Sequence, residues 1–581
     1  MMDEHRARQM EPRCSIQDPS SELILMVMDY LPFSTQFDLA CVCKRLAISS
    51  RGALERHQDS YAKYRVASDL DPSTVPLLLR SAFGQENPIA AWNVRSFEVW
   101  RDRTQWSEWQ KFDLYAPMVS GQMGKPANHG VTREDVRRYL SWFEEQLGED
   151  LELGTLEEVL NYVESGHDGL LKALLFAKLE RLQDLKFITR SQEEGSCLSS
   201  LKALIAECIK STQKKNFWPK GFCSIQNVAV GVDSGTWMTD DRDEEHCSSL
   251  FSHLLRLPSL DIICFKGLRA WSDGDSMDYN YNEEEEQCIS NILTEGSSSV
   301  QHIFLHGCSG TFGEDQDIFW SAPRQLATMS IRFDGPDDFD GSTGTANVVA
   351  RVQKNSLQSL MWYGYTSGWG DYPRNIVGDH CAIMDNEDFE HFETLPAMKH
   401  MSICMSDIEL CMEREGIYDR FRFASRGEPD TLVVRYFATM FPPTLETLVL
   451  WDEADEHLTR LVERGLIKMM QNGRYKTLKR IFSEPMESAC QGWSEGKLWF
   501  KDAIAAGMEA GVDVYTLSSN QEEMPHSIEF AEAPDKYDLH SGIYSGIRPS
   551  GWVFDPYLGR KIPLRCKAER YKALLAKHKT E

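Results

Sequence analysis

The chain has 581 residues, 42% of them hydrophobic, with 89 acidic side chains against 62 basic ones and a formal net charge of −27. So negative a balance repels nucleic acid and anionic membrane, so no DNA or RNA partner is expected. No run of about 18 apolar residues occurs, and the opening MMDEHRARQMEPR has no apolar core, so neither a membrane span nor a secretory leader is expected.

Residues 1–15 are polar and expected to be disordered. Asp18-Pro19 reads as a helix start, since Asp caps free N–H groups and Pro fits the first helical position. Leu31-Pro32 stops that helix. Ser34 is placed to cap a second helix carrying Leu39, Val42, Cys43 and Leu46, and ALERHQDSYAKYRVAS reads as a third. Within Glu22 to Leu31 seven of ten residues are apolar aliphatics or Met, which leaves almost no polar face. A segment this short cannot bury that surface in a core of its own. Two readings stand: the helix docks on a partner, or it packs on the rest of the chain. Residues 101 to 165 mix Trp-rich and charged stretches and read as helices joined by a loop near GQMGKPANHG.

Further on, an L-x-x-L-x-L spacing recurs. Its copies are Val94-Phe97-Val99, Leu182-Leu185-Phe187, Ile225-Val228-Val230, Leu260-Ile263-Phe265, Val300-Ile303-Leu305 and Leu326-Met329-Ile331. They continue as Leu357-Leu360-Trp362, Met398-Met401-Ile403, Leu445-Leu448-Leu450, a degenerate Leu478-Ile481-Ser483, and Val512-Tyr515-Leu517. The fourth and sixth positions alternate inward on a short strand, and the first tucks in from the preceding turn. CSSLFSHLLRL, ANVVARVQ, DTLVVRYFATMF and HLTRLVERGLIKMM are candidate helices between copies. Strand, loop and helix repeated predict an α/β solenoid with irregular units, in which each unit needs its neighbours to bury its inner face. An unrelated α/β array is the competing reading.

The stretch DP-SSELILMVMDYLP, six residues, then LACVCKRL resembles an F-box. Pro19, Glu22, Leu23, Ile24, Val27, Leu31, Pro32, Leu39, Val42, Cys43, Lys44, Arg45 and Leu46 match that pattern. The opening departs, with one residue too many before Glu22 and Gln17-Asp18 in place of the leading Leu. Downstream, PLLLRSAFGQENPIAAWNVRSFEVWRDRTQW, GLLKALLFAKLERLQDLKFITRS and GVDVYTL are similar to F-box proteins of filamentous fungi, which carry divergent leucine-rich-like repeats. The resemblance implies an N-terminal three-helix F-box followed by an irregular leucine-rich-repeat-like solenoid. It implies docking on a Skp-type linker protein through Pro19, Leu23, Ile24, Val27, Leu31, Pro32, Leu39, Val42, Cys43 and Leu46. Through that linker come a cullin and a RING protein. The expected divisions are a tail over 1–15, the F-box over 16–65, a helical linker and first repeat region over 66–180, the solenoid over 181–520 and an extension over 521–581.

No catalytic motif is found: G-x-S-x-G, H-E-x-x-H, P-loop and G-x-G-x-x-G are all missing. The expectation is therefore a non-enzymatic adaptor without cofactor. DGDSMDYNYNEEEE lacks the glycine of a calcium loop and reads as a solvated acidic loop. His302, His306 and Cys308 form an H-x-x-x-H-x-C trio whose strand spacing suits metal ligands poorly, so no metal is expected. The 15 cysteines are scattered, with no C-x-x-C pair, which reads as reduced thiols in a cytoplasmic or nuclear protein. In the repeat frame the fifth and seventh positions point away from the helices onto an open sheet face. Lys266, His306, Arg332, Tyr363 and Trp451 occupy seventh positions and are candidate contacts for a protein substrate. An ordinary covered surface is the alternative there. From Lys561 the tail carries seven basic and two acidic side chains and reads as a helix. The function expected is recruitment of a protein substrate to a Skp–cullin–F-box ubiquitin ligase, with a repeat scaffold outside that pathway as the alternative.

Overall fold

The computed structural model describes residues 20–84, 86–110, 131–147, 156–189, 191–215, 217–232, 246–269, 291–308, 316–333, 348–363, 394–405, 408, 411–412, 415–418, 420, 431–451, 456–484, 500–516, 552–555 and 560–563. Four helices open it: α1 (Ser21–Tyr30), α2 (Phe33–Val42), α3 (Lys44–Ser49) and α4 (Arg51–Tyr64). The cap of α1 is Ser20, whose hydroxyl accepts from Leu23 N at 3.4 Å, and not the expected Asp18-Pro19. Ser34 lies inside α2, which starts after Pro32 with no side-chain cap. The rigid ring at Pro32 sets the entry conformation, so no hydroxyl is needed. The third expected helix splits. Tyr64 ends α4, and Val66–Ser68 is already a strand.

That strand is β1, followed by β2 (Ser96–Val99), β3 (Asp184–Phe187), β4 (Asn227–Val230), β5 (His246–Cys247), β6 (Ile262–Lys266), β7 (Leu268–Arg269) and β8 (His302–Cys308). Then come β9 (Thr328–Phe333), β10 (Ser359–Tyr363), β11 (His400–Cys404), β12 (Thr447–Trp451), β13 (Arg480–Glu484) and β14 (Asp513–Thr516). Twelve of these form one sheet in chain order, with only β5 and β7 set apart as a small pair. Every pairing within it is parallel. β15 (Trp552–Asp555) and β16 (Arg560–Pro563) make a separate antiparallel pair, and the candidate tail helix lies outside the described residues.

Helices fill the crossovers, as parallel pairing requires. They are α5 (Thr74–Ala82), α6 (Pro88–Asn93), α7 (Arg133–Leu147), α8 (Leu156–Ser165), α9 (Gly169–Lys178) and α10 (Cys197–Lys215). α11 (Lys220–Ser224), α12 (Ser248–Leu255), α13 (Gln316–Ser321), α14 (Thr431–Phe437), α15 (Glu456–Gln471) and α16 (Lys501–Ala510) follow. α12, α14 and α15 fall on three of the stretches expected to be helical, and residues 348–352, also helical, fall on the fourth, ANVVARVQ.

Register follows the fourth position of the motif. Ala67, Phe97, Leu185, Val228, Ile263, Ile303, Met329, Leu360, Met401, Leu448, Ile481 and Val514 are successive pairing partners across all twelve strands. All twelve are buried in one continuous core with the first-position residues Val94, Leu182, Ile225, Leu260 and Leu326. A carbonyl ladder locks each strand entry. Gln226 O accepts from both Asp261 N and Ile262 N, Asp261 O from Gln301 N and His302 N, and Gln301 O from Ala327 N and Thr328 N. The same double acceptance recurs from Arg65 O to Glu446 O. Two expectations change. β1 is a further copy, built on Ala67, which the spacing missed because Ala is small and Asp69 stands at its sixth position. At the far end the partner of Ile481 is Val514, so the frame Val512-Tyr515-Leu517 is one residue out. The sheet and its core also run through 66–180 into the later strands without a break.

Candidate functional site

The four N-terminal helices have a core of their own: Ile24, Met28, Leu46 and Ala53, with Leu31, Leu39 and Cys43 packed at its edge. It is separate from the large core of the sheet. Gln36 ties it together from within. Its Nε2 donates to Met28 O at 2.8 Å and Leu31 O at 3.1 Å, and its Oε1 lies 2.8 Å from His57 Nε2. Burial, and the neighbouring Arg56 charge, hold His57 below its ordinary pKa and favour the neutral ring. Phe33 touches His57 and, at 5.9 Å between ring centroids, Trp92 of α6, which joins the head to the sheet domain. Ser60 Oγ donates to Ile89 O beside it.

Inward placement of Ile24 and Met28 leaves the rest of α1 in solvent. Leu23 is 53% exposed, Met26 57%, Val27 51% and Tyr30 86%. The spacing i, i+3, i+4, i+7 puts these four on one helical face. Val42 at 60% and Ile48 at 64% add to the exposed apolar surface from the next two helices. Among the described residues most of the exposed large apolar side chains belong to this head. The expected linker contacts therefore divide. Leu23, Val27, Pro32 and Val42 are exposed; Leu31, Leu39 and Cys43 are half-buried. Ile24 and Leu46 are core residues, packed with Met28 and Ala53. Pro19 lies outside the described residues.

On the sheet, register brings Lys266 opposite His306, His306 opposite Arg332, and Arg332 opposite Tyr363. These four Cα positions form one row across β6, β8, β9 and β10, stepping about 5 Å per strand. Trp451 pairs with Cys404 of β11 on one side and Glu484 of β13 on the other. The side chains of all five candidates lie outside the described residues. The fifth positions correct one expectation. Cys264, Phe304, Ser330, Met361, Ser402 and Val449 are all buried where an open face was expected. A parallel sheet covered on both sides is the usual arrangement, and the polar fifth positions Glu98 and Lys186, register partners on β2 and β3, are buried with the rest.

A third constellation escaped the motif search. Asp69 follows β1, Asp102 and Arg103 follow β2, and Asp168 and Lys172 lie at the start of α9; all five side chains are at least nine-tenths buried. Lys172 Nζ is 2.8 Å from Asp69 Oδ2, 3.0 Å from Asp168 Oδ2 and 3.8 Å from Asp102 Oδ1, and it donates to Arg101 O at 2.6 Å. Arg103 Nη1 donates to Asp168 Oδ2 at 2.9 Å, and its other amino group donates to Asp69 O. Backbone N–H groups complete the shell: Trp100 N to Asp69 Oδ1, Arg103 N to Asp168 Oδ1 and Cys197 N to Asp102 Oδ1. Burial works against the Lys172 charge, yet Asp168, Asp69 and Asp102 together outweigh it and hold its pKa above the ordinary value. Burial pushes Asp102 up to about 6, the Lys172 charge offsetting only part of the shift. Aspartates after strands and an Asp and Lys at a helix start carry no spacing signature, so only their convergence reveals them.

Among the described residues no group of His, Cys, Asp and Glu has metal-binding geometry, and no described helix is long and apolar enough to cross a membrane. The fold and these sites define an α/β protein with a chain-ordered parallel sheet and an apolar helical head. No family model matches the chain, and no curated protein matches it.

Proposed function

We propose that this chain is the substrate-recruiting subunit of a Skp–cullin–F-box ubiquitin ligase, without catalysis of its own. Residues 20–64 act as the F-box and dock on a Skp-type linker, which brings the cullin and the RING protein. The sheet domain acts as an irregular leucine-rich-repeat-like solenoid that presents a protein substrate, with Lys266, His306, Arg332, Tyr363 and Trp451, nearer the strand ends than the buried fifth positions, along its contact row. The protein then works in the cytoplasm or nucleus. One observation carries this reading: Leu23, Met26, Val27 and Tyr30 stay in solvent although a large core lies close by. An apolar stripe of this kind is what an interface leaves uncovered in the free subunit.

The test is affinity capture of the full chain with a Skp-type linker and a cullin. Leu23→Asp combined with Val27→Asp should abolish capture and leave the melting temperature within a degree or two, since both side chains are exposed and the cap bond uses only the Leu23 backbone N–H. Equal linker recovery by this variant would rule the interface out. Arg332→Glu should leave capture intact and lower substrate ubiquitination.

A further inference from the structure

The buried charges after β1 and β2 and at the start of α9 do not balance. Three carboxylates, Asp69, Asp102 and Asp168, face two cations, Arg103 and Lys172, in a space closed to solvent. A net buried charge is costly, and the simplest counter-ion is a proton. We propose that the cluster closes over one proton, carried on Asp102, which makes the ends of the first three strands and the start of α10 a proton-linked clamp.

Asp102 is the carboxylate built for it. Lys172 is 3.8 Å from it, but within 3.0 Å of the other two. Its Oδ1 accepts from Cys197 N at 2.8 Å at the start of α10. Its Oδ2 lies 3.3 Å from Thr189 Oγ1, just beyond β3. As a neutral acid, Asp102 keeps the Cys197 bond on Oδ1 and donates from Oδ2 to the Thr189 hydroxyl oxygen. The charged groups facing it are Asp69 from the β1 loop, Arg103 from its own loop, and Asp168 and Lys172 from α9. From α10 comes Cys197, whose thiol burial keeps neutral. The sign follows from linkage. A carboxyl whose pKa rises from 3.8 to about 6 on folding binds the proton more tightly in the folded state. The clamp is therefore tightest at low pH, loosens as pH rises from about 4 to about 6, and changes little above that.

Asn at position 102 is the permanent mimic of the protonated acid. Hydrogen exchange by mass spectrometry on the full chain, corrected for intrinsic rates, reads the clamp locally over 96–103, 184–189 and 197–205. The protection of Asp102→Asn relative to wild type should be about fourfold greater at pH 7.5 than at pH 5.5. Lys172→Met, with one cation fewer, should steepen the wild-type pH dependence in the same peptides. If that variant does not fold, the Asn comparison decides alone. A merely structural role for Asp102 would shift protection equally at both pH values; parallel pH dependences of wild type and Asp102→Asn would overturn the proposal.

Discussion

The N-terminal head and the first strands of the sheet are adjacent in sequence and opposite in construction. Among its described residues the head buries few apolar side chains, Ile24, Met28, Ala40, Leu46 and Ala53, and leaves an apolar helical face in solvent. Beyond it, the ends of β1 and β2 together with the start of α9 bury five charged side chains beside a continuous core. Each departs from the rule that apolar groups go inside and charges outside. In the function proposed above, the head's departure is resolved by a second molecule. That of the strand ends is resolved within the chain, by setting Arg103 and Lys172 against the three carboxylates and filling the shell with backbone N–H groups. An apolar surface waits for a partner at little cost in water, whereas an unpaired buried charge has no such option.

The contrast can be broken first where the charges are. Lys172→Met leaves three buried carboxylates with one cation and should cost about 3–5 kcal/mol of stability, read as a lower midpoint in urea unfolding. A loss under about 1 kcal/mol would mean that water reaches the cluster and that the two regions differ less than their burial says.

An intermediate effect is expected in the head. In the free chain, amides of 20–48 should exchange faster than those of β3 to β12, because few apolar contacts hold that core. Adding a Skp-type linker should slow exchange in the head by tenfold or more without changing the sheet. Strong protection of the head in the free chain would show that it is already complete.

The smallest effect sharpens the comparison locally. Ser20→Ala removes the side-chain cap of α1 and should cost the head about 1 kcal/mol. Exchange should rise over α1 and stay unchanged in the sheet, whose core is separate.

The periodic part of the fold was legible in the sequence for a local reason. In a strand, position decides face, so Leu185, Ile263, Met329 and Leu448 announce one inward row wherever neighbouring copies pair. Legibility failed where the local signal is weak or redundant. Ala67 is too small to stand out, and Val512, Val514 and Tyr515 offer two apolar frames one residue apart. In α1 nearly every residue is apolar, so the order of residues could mark the helix as unusual but could not say that Leu23 faces water while Ile24 faces the core. Packing against Leu46 and Ala53, from helices some 20 to 30 residues later, decides that. Asp69, Asp102, Asp168 and Lys172 are further still from legibility. They span about a hundred residues without pattern, and each alone reads as a solvated surface charge. The parallel sheet brings the ends of successive strands to one edge, and α9 carries its Asp and Lys back across that edge. Only there do they become one buried group. Sequence by itself determined the beat of the strands, because that depends on neighbours along the chain. Tertiary structure alone decided which apolar face stays open and which charges close together, because those depend on neighbours in space.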